Sequence, residues 1–205
     1  MATPHDPLVR PSNWNVPNAI TVVRILLAPL FIWMLLADGG ADGALRWAAA
    51  ILFIVAIATD GIDGAIARKH NLVTDLGKLL DPIADKILTG GALVCLSILG
   101  ELPWWVTIVI LVREIGITVF RFVMLRDRVI PASRGGKLKT VAQSVAISTA
   151  LLPLWLVFGD EPMHWVNTVL MSIAFVLTVV SGIDYLVSAW RENSKLRNSA
   201  QGQSA

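Results

Sequence analysis

The stretch "DGIDGAIARKHNLVTDLGKLLDPIADK", residues 60–86, carries five aspartates. It lies between two runs that are almost wholly apolar, "AAAILFIVAIAT" (48–59) and "ILTGGALVCLSILG" (87–100). Ionisable groups are costly beside hydrocarbon, and where they occur they face a protein interior or mark a functional site. Placed on a helix, Asp60, Asp63, Gly64, Ala67 and Arg68 fall at i, i+3, i+4, i+7 and i+8 and share one face. Gly77, Asp81 and Asp85 follow at i, i+4 and i+8 and share a face of the next helix. The turn between them is short, so the two helices are antiparallel neighbours and their acidic faces can meet. Four carboxylates confined together repel one another, and loss of water adds a further penalty. Protons or bound cations relieve both. Hard divalent cations with oxygen ligands suit such a pocket, Mg²⁺ (or Mn²⁺) in particular, and two of them would clamp the attacking and departing oxygens of a phosphoryl transfer. Gly64, Ala67 and Gly77 keep the walls low for a bulky group, and Arg68 offers a planar fork to a phosphate. The plainer alternative makes these aspartates interfacial caps. Asp75, next to Thr74, fits capping or loop bonding better than the cluster, and Lys86 has the simple task of neutralising neighbouring carboxylates.

The rest of the chain agrees with a membrane setting. It has 205 residues, enough for one compact unit, of which 55% are hydrophobic and only 16% charged. Its mean hydropathy is +0.67. A net charge of +2 argues against nucleic acid as a partner. The lone cysteine, Cys95, can form no internal disulfide and reads as a small buried hydrophobe. The first residues, "MATPHDPLVRPSNW", lack the apolar core and cleavage site of a signal peptide.

A bilayer core takes about 20 apolar residues to cross, and six such segments can be placed. They cover 19–37, about 44–67, about 75–99, 103–125, about 138–158 and about 164–190. The predicted fold is therefore all-α, a polytopic membrane protein of six transmembrane helices. Residues 1–18 form an N-terminal segment with interfacial character, 19–190 the catalytic membrane domain, and 191–205 a disordered polar tail. Alternate connections carry the basic residues: Arg10, then Arg68, Lys69 and Lys78, then Arg126 to Lys139, then Arg191, Lys195 and Arg197. The opposite connections carry Asp38, Asp42, Arg46, Glu101, Asp160 and Glu161. By the Lys/Arg asymmetry rule both termini and the acidic pocket face the cytoplasm, as expected of a multi-pass protein of the cell inner (plasma) membrane.

The pattern Asp60-x2-Asp63-Gly64-x2-Ala67-Arg68-x8-Gly77-x3-Asp81-x3-Asp85 resembles the signature of the CDP-alcohol phosphatidyltransferase family at all eight of its fixed positions. That family moves a phosphatidyl group from a CDP-linked lipid to an alcohol and releases CMP. The resemblance implies that Asp60, Asp63, Asp81 and Asp85 are divalent-metal ligands and that Asp85 is also the general base. It implies that Gly64, Ala67, Arg68 and Gly77 surround the nucleotide and its diphosphate. The opening "PNAITVVR" is similar to the family's first-helix pattern, which implies Asn18, Thr21 and Arg24 near the CDP moiety. Read alone, Arg24 could equally snorkel to the interface. The resemblance also implies a homodimer.

The acceptor is read from other charges. Arg113 and Glu114 lie mid-span in the fourth segment and Arg121 lies about two turns beyond. "SRGGKLKTVAQ" (133–143) sets Arg134, Lys137 and Lys139 around two glycines at a helix start, a good anion cradle or equally a positive-inside loop. Glu114 is a structural counter-charge for Arg113 on one reading, and Arg121 snorkels on another. Together they point to an acceptor with its own phosphate. "REIGITVFR" and "GGKLKTVAQ" resemble the family members whose acceptor is sn-glycerol 3-phosphate. This implies phosphate contacts from Arg121 and Lys137 (or Lys139 in its place), supported by Arg113 and Lys139. The expected reaction takes CDP-diacylglycerol from the membrane lipid and proceeds by direct displacement, because no Ser, Cys or His nucleophile set is evident. An inositol-phosphate acceptor is the nearest alternative; a cation transporter is a more distant one, accounting for the acids but not for Arg68 and the basic loop.

Overall fold

The computed structural model describes residues 15–69, 74–124 and 134–202. Side chains at 62, 63, 65–69, 75, 78, 121–124, 134–137 and 191–202 fall outside the described set. The expected roles of Asp63, Ala67, Arg68, Arg121 and Lys137 therefore lie outside the described residues. The helices in chain order are α1 (Val16–Asp38), α2 (Ala44–Lys69), α3 (Asp75–Ile98), α4 (Trp104–Met124), α5 (Arg134–Leu151), α6 (Trp155–Phe158) and α7 (Asp160–Gly202). No strand occurs among the described residues.

Local chemistry sets the helix ends. Asn15 caps α1 by accepting from the Asn18 N–H at 2.9 Å, and Pro17, whose missing N–H costs nothing in the first turn, follows. Gly39 ends α1 at φ 60°, a left-handed geometry that favours glycine. Thr74, rather than Asp75, caps α3, its hydroxyl accepting from the Gly77 N–H at 3.0 Å. Helix α1 packs along α2 and α3, α3 along α4, and α5 along α7. Phe31, Leu35, Phe53, Leu88, Leu96, Ile110 and Ile147 are fully buried at the centre. Large apolar residues also cover the outside: Leu26, Trp33, Ile51, Val55, Ile108, Val112, Val176 and Val180 are all exposed. A helix apolar on every side belongs in lipid.

Among the described residues, three helices are long and apolar enough to cross a membrane by length and composition: Val16–Asp38, Ala44–Gly61 and Asp160–Trp190. Helices α3, α4 and α5 are of comparable length but carry several charges each, among them Asp81, Asp85 and Lys86, then Arg113 and Glu114, then Lys139. Two sequence boundaries change. The fifth segment, expected over 138–158, begins as helix at Arg134 and stops at Leu151; Pro153 follows, and α6 is a separate single turn. A proline ring cannot accept a helical neighbour on its N-terminal side and offers no N–H. The two glycines expected at a helix start lie in the first turn of α5. Finally, the backbone of α7 continues as helix over 191–202, where composition predicts a disordered tail. Its 43 residues would extend about 65 Å, twice a bilayer core of about 30 Å.

At the end of the bundle remote from the aspartates, Arg46 is fully buried. Its guanidinium grips both oxygens of Glu101 at 2.5 and 2.6 Å and donates to the carbonyls of Leu151 and Ala150 at 3.1 and 3.0 Å. Asp42 lies at 3.3 Å and the Trp155 ring 4.6 Å below. A buried charge persists only when paired and hydrogen-bonded, and this one joins α2, α5, α6 and the α3–α4 turn. A cavity of about 1000 Å³ opens beside it, bordered by Glu101, Trp105, His164 and Phe175. It is at the far end of the bundle from the acidic pocket.

Candidate active site

The signature residues take their places through three helices. The end of α2 contributes Asp60, the first half of α3 contributes Gly77, Asp81 and Asp85, and the first turns of α1 cross between them. Arg24, only 3% exposed, does not snorkel: it forms an ion pair with Asp60, whose carboxylate is half-exposed. Thr21 donates to Asp81 Oδ1 at 2.8 Å, with the Pro17 carbonyl 3.1 Å from the same hydroxyl. The Asn18 amide donates to Thr74 Oγ1 at 2.8 Å. Asn18, Thr21 and Arg24 are spaced at i, i+3 and i+6, so one edge of α1 meets both the end of α2 and the start of α3. Asp60 also lies within electrostatic reach of Asp81 and Asp85.

Gly77 also sets how closely α1 can approach α3. A Cβ there would stand 2.6 Å from Asn18 Oδ1 and 3.3 Å from Thr74 Oγ1. The Asn18 amide thus occupies the space on that side of Gly77, and glycine there lets α1 approach. Gly64 is partly buried on α2.

Three of the four aspartates have described side chains, and each is held by a donor: Asp60 by Arg24, Asp81 by Thr21, and Asp85 by Lys86 at 2.8 Å. No group of three acidic or histidine side chains stands at metal-binding distance among the described residues. The donor set is nevertheless composed of carboxylate oxygens alone, the chemistry that suits a hard divalent cation and not a thiophilic one. Arg24 and Lys86 neutralise part of the charge that such a cation would otherwise balance.

A second polar cluster adjoins the first. Lys86 Nζ reaches Glu114 Oε2 at 3.0 Å as well as Asp85. Glu114 is also paired with Arg113 at 2.8 Å and with Lys139 of α5. Arg113 donates in addition to Ser181 Oγ of α7 at 2.8 Å. A Cβ at Gly182 would be 3.1 Å from the Arg113 side chain, so α7 closes tightly over it. Arg113 and Lys139, both expected near the acceptor phosphate, are brought together here. Lys86 and Ser181 were not among the residues singled out for binding. For Lys86 the available signal was adjacency to Asp85; for Ser181 there was none, because it is one of many small residues in an apolar helix.

Comparison with known proteins bears on the same residues. The model of the family described as CDP-alcohol phosphatidyltransferase matches residues 14–180. A Mycobacterium tuberculosis protein carrying the name probable phosphatidylglycerophosphate synthase is 45% identical over 186 residues, covering 91% of this chain and 87% of its own. The CDP-diacylglycerol–glycerol-3-phosphate 3-phosphatidyltransferase of Bacillus subtilis is 42% identical over 86% of this chain and 96% of its own. Its namesake in Rickettsia typhi is 36% identical, with 83% and 94% covered. Family model and relatives agree: the chain belongs to the CDP-alcohol phosphatidyltransferase family.

Proposed function

We propose that the chain transfers the phosphatidyl group of CDP-diacylglycerol to sn-glycerol 3-phosphate, giving phosphatidylglycerophosphate and CMP. The relatives named for this reaction support it. The structural observation that carries it is Lys86, which touches both Asp85 and the Glu114 cluster. A cationic patch suited to a phosphate is thereby set next to the carboxylate assigned as base.

The acceptor hydroxyl gives its proton to Asp85 as its oxygen attacks the lipid-linked phosphorus. The bond from that phosphorus to the CMP oxygen breaks, and CMP leaves with the electron pair. Members of the family generally work with divalent metal ions; Asp60, Asp63, Asp81 and Asp85 would hold them, Mg²⁺ or Mn²⁺ and two in number, where they would supply charge neutralisation at the diphosphate. Asn18, Thr21, Arg24, Gly64, Ala67, Arg68 and Gly77 form the CDP-lipid side. Arg113 and Lys139, with Arg121 and Lys137, form the acceptor-phosphate side. Six helices cross the membrane in this reading, α3, α4 and α5 being screened from lipid on their charged faces by their neighbours. Both termini and the pocket face the cytoplasm, and the protein is a homodimer of the inner membrane.

The test is incubation of purified protein with CDP-diacylglycerol, Mg²⁺ or Mn²⁺, and in turn sn-glycerol 3-phosphate, inositol phosphate and serine. The expected result is one CMP per phosphatidylglycerophosphate, with sn-glycerol 3-phosphate alone, abolished by chelation. Consumption of inositol phosphate instead, or metal flux without CMP, would overturn the assignment.

A further inference from the structure

Glu114 is 6% exposed in the middle of α4, and cations meet it from three helices: Arg113 beside it at 2.8 Å, Lys86 of α3 at 3.0 Å, and Lys139 of α5. Lys139 is equally buried. Three positive charges around one negative leave an excess that packed helices do not tolerate without an anion. Part of it goes to Asp85 through Lys86. What remains lies on Arg113 and Lys139. Arg113 Nε is buried and has no hydrogen-bond partner among the described residues, and an ammonium offers three donors, so Lys139 has capacity beyond Glu114.

Long basic side chains left to themselves would repel one another, spread apart and snorkel toward lipid head groups. The carboxylate of Glu114 prevents this by lying between them. Thr118 donates to the Glu114 backbone carbonyl at 2.8 Å within α4, and Ser181 holds Arg113 from α7.

We propose that Glu114 is a positioning residue for the acceptor. It holds Arg113 and Lys139 as a preformed cradle for a phosphate monoester and, through Lys86, fixes that cradle at a set distance from Asp85. Glu114 itself touches neither the phosphate nor the reacting atoms. Binding a phosphate to cations already in place avoids ordering them at the moment of binding. The inference rests on the phosphorylated-acceptor reading above.

The experiment uses the full chain in lipid vesicles and measures CMP release while each substrate is varied at saturating levels of the other. For Glu114→Gln the KM for sn-glycerol 3-phosphate should rise about tenfold or more, while the KM for CDP-diacylglycerol stays within about twofold. Glu114→Asp, which keeps the charge on a shorter arm, should lie between wild type and Glu114→Gln. If Glu114→Gln does not fold, the Glu114→Asp split alone decides, with an expected rise of several-fold for the acceptor only. An acceptor KM that is unchanged or falls would overturn the proposal, the fall meaning that Glu114 competes with the phosphate. Equal movement of both KM values would overturn it in favour of general loosening. The wild-type rate with sn-glycerol 3-phosphate tests the underlying reading separately. If wild type instead uses inositol phosphate, the same split measured with that acceptor decides the inference. If wild type accepts only serine, both are overturned.

Discussion

Replacing Thr21 with valine isolates one hydrogen bond at the heart of the site. Thr21 is almost fully buried and its hydroxyl lies 2.8 Å from Asp81 Oδ1. Valine keeps the shape, so no cavity opens, and the change is confined to the loss of the donor. A hydrogen bond to a charged group contributes about 1.5–3 kcal/mol. Asp81 is only partly buried, and water would recover some of this, leaving a loss of about 1–2 kcal/mol. Expressed in the transition state, that is a fall of about 5- to 30-fold in kcat/KM. The assay is initial CMP release with CDP-diacylglycerol varied, together with a Mg²⁺ titration. Thr21→Ser keeps the hydroxyl and should stay close to wild type. The hydroxyl has a single proton, and the Pro17 carbonyl at 3.1 Å is a rival acceptor. If the proton resides there, a lone pair faces Asp81, and valine would relieve a repulsion instead of breaking a bond. Undiminished kcat/KM in Thr21→Val would therefore refute the assigned bond, and equal damage in Thr21→Ser would show that packing, not the donor, is responsible.

Asp85→Asn should lower turnover by roughly 10²–10⁴-fold, the range for loss of a general base, with thermal stability and membrane extraction retained; wild-type CMP release would remove Asp85 from that role. Gly77→Ala places a Cβ 2.6 Å from Asn18 Oδ1 and should cost about 1–3 kcal/mol through overpacking. Combining it with Asn18→Ala should show a coupling close to that cost in thermal unfolding, and simple additivity would deny the contact. Glu101→Ala leaves Arg46 buried without its bidentate partner and should destabilise by about 3–5 kcal/mol. Arg46→Met, which removes the charge and keeps much of the volume, should cost less in the same detergent unfolding assay; the reverse order would mean that Arg46 is hydrated in solution.

The amino-acid sequence by itself determined the helical, lipid-facing character of the chain and the signature that assigns the family. Both are local. Twenty apolar residues in succession specify a segment for lipid whatever surrounds it, and spacing at i, i+3 and i+4 assigns Asp60 and Asp63, or Gly77, Asp81 and Asp85, to one face of a helix. The partner of a face is another matter, because it depends on how helices distant in sequence pack. Arg24 pairs with Asp60 across 36 residues, and Arg46 donates to Leu151 across 105; periodicity within one helix contains neither fact. The same applies to Gly77, legible as a small residue but not as the place where Asn18 enters. It applies to Lys86, Glu114 and Lys139 as well, three charges on three helices that become one cluster only when α3, α4 and α5 come together. Tertiary packing decided which charges are neutralised by protein and which are left for substrate, because in a buried setting a charge is defined by its nearest partner and not by its neighbours along the chain.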